Sequence, residues 1–142
     1  MGHPKFSRPR YDTPGHPWKG ARIEEEHDIK ANYGLKRIGG MKEIWKARSQ
    51  LRRYRQQAMK LIGRVDTKEK HWAREKEDLI SSLYSKGLIG SDSILDNVLS
   101  LNMEDILKRR LQSQVYYKGL AVSMRQARQL VIHGHICIEG QK

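Results

Sequence analysis

Two arginines, Arg125 and Arg128, stand three residues apart in the stretch SMRQARQLVIHG near the end of the chain. In a helix this spacing places both side chains on one side, and the fork-shaped guanidinium groups suit phosphate oxygens. Ser123 and Gln126 have the spacing of a capping box, which predicts a helix start just before the arginines. The unpaired N–H groups of a first helical turn also attract anions. These residues therefore predict a site for a phosphate backbone.

The other side chains that could do chemistry do not converge on a catalytic or metal site. Cys137 is the single cysteine, and its alternation with isoleucines favours a small strand residue over a nucleophile. His133 and His135 stand two apart with no cysteine pair nearby, whereas structural zinc needs four ligands. The carboxylates of IEEEHD (residues 23–28) do not form a catalytic pair, because no other part of the chain supplies the partner groups that general acid–base catalysis needs. We therefore expect no enzyme activity, no metal and no cofactor.

The composition favours a polyanionic partner. The 142 residues carry a net charge of +12, with 37% hydrophobic residues and a mean hydropathy of −0.78. Apolar surface is scarce and like-charge repulsion is large, and binding to nucleic acid relieves that repulsion while counterions are released. No apolar run approaches the roughly 20 residues that span a bilayer, and the start of the chain lacks a signal-peptide core. We expect a cytoplasmic protein that binds nucleic acid, not a membrane or a small-molecule substrate.

The basic residues occur in separate packets along the chain. Residues 35–74 hold thirteen basic and three acidic residues, whereas residues 75–107 hold two basic and seven acidic ones. Residues 108–142 are again basic, with seven cations and one acid. This distribution predicts contact with RNA at several places.

The first packet, residues 1–22, is predicted to be an extended basic arm. All four prolines of the chain lie within its first seventeen residues, and basic and aromatic side chains alternate between them. Proline keeps the backbone extended, while cations pair with phosphates and flat rings stack on bases. A disordered tail is the alternative, and we favour an arm that folds on RNA. Its predicted RNA-binding residues are Lys5, Arg8, Arg10 and Trp18.

The second packet is predicted to be a long amphipathic helix from about Met41 to Ile62. Its apolar stripe contains Ile44, Leu51, Ala58 and Ile62. The opposite face is almost free of acids, whereas a merely solvated face usually mixes charges of both signs. RNA contact is predicted for a ladder of Lys42, Lys46, Arg53 and Lys60, which is interrupted by Ser49 and Gln57. Arg48, Arg52 and Arg55 flank the apolar stripe.

Two acidic segments are predicted to be scaffold. IEEEHD is expected to open a short helix that ends before YGLK, with its acids in the first turn. A second acidic helix is expected from about Thr67 to Lys86, started by a capping box of Asp66 and Glu69. It should pack against the apolar stripe of the long helix and stop at Gly87.

The final third is predicted to hold a short helix, a break and a longer helix, followed by the helix that carries the two arginines. Asn102 should cap the longer helix and Gly119 should end it. HICIEG is expected to be a strand with a turn at Gly140. The inward-facing residues are predicted to be Leu107, Leu111 and Val115 on the longer helix, and Met124, Ala127, Leu130 and Val131 on the next.

The stretch RRLQSQVYYKGLAVSMRQARQLVIHGHICIEG resembles the S4-type RNA-binding module. The resemblance rests on Arg110-Leu111, Gly119-Leu120, Ser123 with Gln126-Ala127-Arg128, and Gly134-His135-Ile136 through to Gly140. Pseudouridine synthases and a heat-shock protein share this module. HPW, YGLK before EIWKA, and MEDILKRRLQSQVYYKGLA extend the resemblance over nearly the whole chain, to the archaeal form of the small-subunit ribosomal protein family that gives the module its name.

The resemblance implies a structural protein that binds small-subunit ribosomal RNA early, at a multi-helix junction, and helps line the path by which messenger RNA enters. The implied partners are ribosomal RNA, neighbouring small-subunit proteins and messenger RNA. The zinc knuckle of the bacterial form is not carried over, because the cysteines are missing. Met124 stands where another basic residue is common. RNA contact carries over to Arg109, Arg110, Ser123, Arg125, Arg128 and His135.

The predicted architecture is mainly α: an extended basic arm (1–22), a helical domain (23–101) and the two helices plus the first strand of an S4-type module (102–142). Family modules continue through further strands, so we expect the chain to be incomplete and the sheet to be absent or only begun. The alternative functions are an RNA-modifying enzyme or a ribosome-associated stress factor with the same module. An enzyme would need a catalytic pocket in addition.

Overall fold

The computed structural model describes residues 11–36, 39–63, 70–90 and 93–142, and within these ranges the fold is mainly α, as predicted. Seven helices follow one another along the described chain. They are α1 (Gly20–Asn32), α2 (Gly40–Ile62), α3 (Lys70–Ser85), α4 (Leu95–Ser100), α5 (Met103–Lys108), α6 (Leu111–Tyr117) and α7 (Met124–Ile132).

Helix α2 is the central element, and α1, α3, α4 and α5 all pack against it. The predicted apolar stripe is confirmed for Ile44, Leu51 and Ala58, which are buried. The prediction for Ile62 is wrong, because this side chain is 40% exposed and Leu61 is buried in its place. Leu61 lies three residues after Ala58 and Ile62 lies four after it. Both spacings keep a residue on the same face of a helix, so Leu61 can take the buried position.

The main core lies between α2, α3 and α4. Leu83 of α3 is fully buried in it, and Trp72, Leu79 and Ile80 pack against its edge. The predicted packing of the acidic helix on α2 is therefore confirmed, as is the stop at Gly87, whose φ of +65° suits glycine. Asp66 and Glu69, the predicted capping box, lie outside the described residues. The buried members of this core are Leu51, Ala58, Leu61, Leu83, Leu95, Val98 and Leu101.

Helix α1 ends at Asn32, as predicted, but it begins at Gly20, earlier than expected. Its first turn contains no acid, so the prediction that IEEEHD supplies the first turn is wrong. Lys19 is already extended and acts as the N-cap without a side-chain hydrogen bond. The carboxylates therefore lie in the body of the helix, where packing decides their environment.

The single longer helix predicted after Asn102 is wrong. The capping box of Asn102 and Asp105 is present, but α5 ends at Lys108 and the extended Arg110 starts α6. Side chains replace the lost helical hydrogen bonds: the Ser113 hydroxyl donates to the Leu107 carbonyl (2.8 Å), and the Gln114 amide donates to the Lys108 carbonyl (2.8 Å).

The break between α5 and α6 also changes which side chains face inward. Leu107 and Val115 are buried as predicted, whereas Leu111 is 40% exposed. The reason is that the extended Arg110 interrupts the helical repeat, so a stripe counted across the break loses its register.

A small core joins α6 to α7. Val115, Ala121 and Ala127 are buried in it, and Leu130 and Val131 pack against it as predicted. Gly119 ends α6 with a φ of +73°. The predicted cap of α7 is confirmed, since the Ser123 hydroxyl accepts a hydrogen bond from the Gln126 N–H. The Gln126 side chain reaches back to the Val122 N–H (2.8 Å) instead of that of Ser123.

The predicted strand in HICIEG is not formed within the described residues. Only one antiparallel bridge joins Ile138 to Gln141, across a turn at Glu139 and Gly140, which both have positive φ. A strand needs a neighbour to pair with, and no second strand lies among the described residues. Residues 134–142 thus do not pair into a sheet, and the expectation that the sheet is absent or only begun stays a prediction.

Candidate nucleic-acid interface

A groove of about 570 Å³ lies between α1 and α7. One wall carries His27 and Lys30 of α1, and the other carries Arg125 and Arg128 of α7. No carboxylate lines the groove among the described residues. The remaining lining residues are Ala31, Gly34 and Leu35.

Glycine is required at position 34, on the floor of the groove. Gly34 has a φ of +53°, and a Cβ added there would lie 2.9 Å from the Cβ of Met124 and 3.0 Å from the Nε2 of Gln112. A side chain would therefore push the loop after α1 away from α6 and α7. Met124 packs against the core formed by Tyr33, Leu35 and their neighbours, which gives this apolar residue a packing role at the start of the arginine helix.

Gln112 of α6 joins that loop to α7. Its side-chain Nε2 lies 3.3 Å from the Tyr33 carbonyl oxygen, 3.2 Å from that of Gly34 and 2.8 Å from that of Met124. Its Oε1 lies 3.5 Å from a terminal nitrogen of Arg128, at the edge of hydrogen-bonding distance. Sequence reasoning missed this residue, because one glutamine on a polar stretch of a helix carries no distinctive signal.

The arginines of α7 differ in exposure. Arg125 is exposed, while Arg128 is half-buried beside Gln112. Ser123 caps the start of α7 but does not line the groove. The structure thus brings Arg125 and Arg128 together with His27 and Lys30 of α1, which sequence reasoning did not assign to RNA.

Arg109 and Arg110, both predicted to contact RNA, are engaged within the chain. The Nε of Arg109 donates to the Lys86 carbonyl (3.0 Å), and its guanidinium covers Gly87 so closely that a Cβ there would be 2.5 Å away. Arg110 is half-buried, with a terminal nitrogen 3.6 Å from a carboxylate oxygen of Glu43. These two arginines connect the module to α3 and α2.

His135, the last predicted residue of the module, is exposed beyond α7. Its ring packs against that of His133, with the ring centroids 6.0 Å apart. Cys137, which follows it, is exposed and has no disulfide partner.

The four basic residues of the ladder predicted on α2 lie at the surface, and Lys46 has an acidic partner. Lys42, Lys46, Arg53 and Lys60 are all exposed, but the ammonium group of Lys46 lies 3.2 Å from Glu43. Ser49, which was assigned to the same face, is buried.

The arginines that flank the apolar stripe of α2 are held by internal partners. Arg48 pairs with Glu26 (2.9 Å), Arg52 with Asp12 (3.2 Å), and Arg55 donates to the Leu101 carbonyl (2.6 Å).

The described part of the arm is anchored on α2. The Asp12 N–H donates to the Ser49 hydroxyl (2.8 Å), and the rings of Tyr11 and Trp45 lie 6.3 Å apart. Within the described part of the arm, Tyr11 and Asp12 therefore contact α2, whereas the Pro17 carbonyl accepts from Arg22 of α1. Trp18 is 91% exposed. Lys5, Arg8 and Arg10 lie outside the described residues.

A buried carboxylate holds this region together. Glu26 is 1% exposed and accepts hydrogen bonds from Arg22 (2.8 Å), Arg48 (2.9 Å) and the Trp45 indole N–H (3.2 Å). Arg22 also donates to the Pro17 carbonyl (2.7 Å), which ties the arm to the same cluster. A buried charge is stable only with such compensation.

Tyr33 is buried next to Gly34, which lines the groove. Burial, and then the negative charge of Glu104, raise the pKa of Tyr33 above its ordinary value. The neutral hydroxyl donates to a carboxylate oxygen of Glu104 (3.2 Å), so this side chain links the loop after α1 to α5.

Metal and membrane features were sought in the same parts of the chain. Within the described ranges, no group of three or more His, Cys, Asp or Glu side chains is placed to hold a metal ion. None of the described helices combines the length and apolar character that crossing a bilayer requires.

Similarity to known proteins covers the module in one comparison and the whole chain in another. The S4 domain family matches residues 109–142. All 142 residues align at 46% identity with small ribosomal subunit protein uS4 of Methanothermobacter thermautotrophicus, of which the chain covers 80%. Identity is also 46% to uS4 of Methanosphaera stadtmanae (75% covered) and 45% to uS4 of Thermoplasma acidophilum (70% covered). Because the similarity runs through the helical body as well as the module, the chain belongs to the small ribosomal subunit protein uS4 family.

Proposed function

We propose that this chain is a structural constituent of the small ribosomal subunit that binds small-subunit ribosomal RNA directly and performs no catalysis. The observation that carries the proposal is the groove between α1 and α7, where cationic side chains from two distant parts of the sequence face each other without a lining carboxylate. Like charges gathered around one groove repel one another, and phosphates relieve that repulsion.

The groove suits recognition of RNA shape. A-form RNA presents phosphates and 2′-hydroxyl groups across a shallow minor groove, which side chains bind without reading the bases. Arg125 and Arg128 provide paired donors for phosphate oxygens, and Ser123 marks a helix start whose free N–H groups face an anion favourably. Lys30 and His27 complete the opposite wall.

Other surfaces extend the contact. We assign phosphate contact to the exposed ladder of α2, represented by Lys42 and Lys60, and base stacking to Trp18. Arg109 and Arg110 serve RNA binding indirectly, because their internal bonds hold the module to the helical body. Lys5, Arg8, Arg10, Lys46, Arg53 and His135 complete the proposed interface.

A role in assembly of the subunit follows from the separation of these surfaces. Contacts on the arm, on α2 and on the module let one protein hold several RNA helices at once, which suits a multi-helix junction bound early in assembly. A place beside the path by which messenger RNA enters, and contacts with neighbouring small-subunit proteins in the cytoplasm, complete the proposal. The three functional parts proposed are residues 1–22, 23–101 and 102–142.

The groove is tested by replacing Arg125 and Arg128 with glutamine, singly and together, and measuring affinity for small-subunit ribosomal RNA at several salt concentrations. Each replacement should weaken binding about tenfold. The slope of log affinity against log salt should fall by about 0.7 to 0.9 per lost phosphate contact. Arg74→Gln, which removes an exposed cation from the acidic helix α3, is the matched control and should change neither quantity. Equal effects of Arg74→Gln and Arg125→Gln would show that net charge, and not the groove, governs binding.

The junction is tested by hydroxyl-radical footprinting of the ribosomal RNA with and without the chain. Protection should concentrate where several RNA helices meet. Protection spread evenly over the RNA would contradict a role at a junction.

A further inference from the structure

The two cationic walls of the groove belong to parts of the chain that are far apart in sequence. His27 and Lys30 lie on α1, whereas Arg125 and Arg128 lie on α7. Two such walls bind one RNA segment together only when their separation is fixed before the RNA arrives, because ordering them at the moment of binding reduces affinity.

The side-chain amide of Gln112 lies where the two sides meet. Its Nε2 is within 3.3 Å of two carbonyl oxygens of the loop after α1 and 2.8 Å from the Met124 carbonyl at the start of α7. The approach is this close because Gly34 has no Cβ, and one added there would be 3.0 Å from the amide nitrogen. One side chain thus bonds to the backbone of both sides.

The same amide also touches a cation of the groove. Its Oε1 lies 3.5 Å from Arg128, whereas Gln112 itself does not line the groove and is half-buried behind it. Gln112 is therefore placed to fix the walls without contacting RNA.

Given the RNA-binding function proposed above, we propose that Gln112 is a positioning residue that locks the S4 module onto the helical body, so that both walls of the groove bind the same RNA segment as one rigid unit. When the walls are locked, binding by one wall presents the other at high effective concentration. When the lock is removed, each wall binds separately, and fewer phosphates are neutralised in each complex.

Two substitutions separate the lock from the contact with Arg128. Gln112→Met keeps a side chain of similar size but removes both the donor and the acceptor. Gln112→Glu keeps an oxygen for Arg128 but replaces the donor with a carboxylate that repels the three carbonyl oxygens. With either substitution the distance between the two walls should no longer be fixed. This should hold for Gln112→Glu even though its carboxylate attracts Arg128 more strongly.

The lock is measured first without RNA. Spin labels at Glu24→Cys on α1 and Gln129→Cys on α7, in a Cys137→Ala background, report the distance between the walls. The distribution should be narrow with Gln112 and broader with either substitution. A control pair within the helical body, Glu24→Cys and Gln56→Cys, should not change. An unchanged distribution between α1 and α7 in Gln112→Met would overturn the lock, whatever the RNA measurements show.

RNA binding is measured next, at a temperature where every variant is folded. Gln112→Met should weaken binding roughly tenfold and lower the salt slope by about 1 or more. A loss of thermal stability with an unchanged salt slope would mean that Gln112 is only structural. If Gln112→Glu binds RNA with the affinity and salt slope of the wild type, the contact with Arg128 explains the role of Gln112, and the proposal that Gln112 fixes the two walls is wrong. An absent effect of Arg125→Gln with Arg128→Gln would instead overturn the RNA-binding groove itself, independently of the spin-label result.

Discussion

Glu26 has the same side chain as Glu24 and Glu25, yet it alone of the three is buried. It lies three residues before Ile29 and seven before Tyr33, so it shares their helical face. Periodicity could have found it had α1 been expected to start at Gly20. The i,i+4 spacing could have named Arg22 as one donor, but not Arg48 and Trp45, because they come from another helix.

Replacing Glu26 with glutamine should destabilise the fold. The neutral amide leaves Arg22 and Arg48 without their buried counter-charge, and we expect a loss of about 2 to 3 kcal/mol in the free energy of unfolding, below the value for a fully buried pair because Arg48 is partly exposed. Denaturant titration measures this change.

Glu25→Gln is the matched control for that substitution. Glu25 lies 3.8 Å from Arg48 on the exposed side, so its replacement should cost less than about 1 kcal/mol. Equal losses for the two variants would contradict a special role for the buried carboxylate.

At the scale of elements, α2 was predicted almost to the residue, because its apolar stripe and its length are both strong signals. The break between α5 and α6 could not be predicted in the same way. No glycine or proline marks it, and it depends on the side-chain bonds of Ser113 and Gln114 to carbonyls of the preceding helix. The burial of Ser49, which we expected on the face of the ladder, has a similar cause, since the Asp12 N–H of the arm donates to its hydroxyl.

The ladder that remains on α2 should contribute to RNA binding through charge alone. Lys42→Gln and Lys60→Gln should each lower the salt slope of RNA affinity by about 0.7 to 0.9, because each removes one phosphate contact. Thermal unfolding should be unchanged, since both side chains are exposed. A drop in the unfolding temperature with a constant salt slope would assign these lysines to stability instead.

At the scale of the whole molecule, the family could be identified from the sequence, because the motifs of the module and of the body run through the chain. The groove could not be predicted, since it exists only where α1 meets α7 and depends on contacts of Gly34 and Gln112 that have no sequence signature. The arginines of α7 were found by their spacing, while His27 and Lys30 looked like ordinary residues of an acidic helix.

The most direct measurement of where RNA lies uses an iron chelate tethered to a single cysteine, which cleaves the RNA backbone nearby. In a Cys137→Ala background, the chelate is placed at Asn32→Cys, at the end of α1 beside the groove, or at Ser81→Cys on the acidic helix α3. The chain is then bound to small-subunit ribosomal RNA. We predict strong cleavage at a compact set of nucleotides from position 32 and little cleavage from position 81. Strong cleavage from position 81 with none from position 32 would contradict the assignment of the groove between α1 and α7 as the RNA-binding surface.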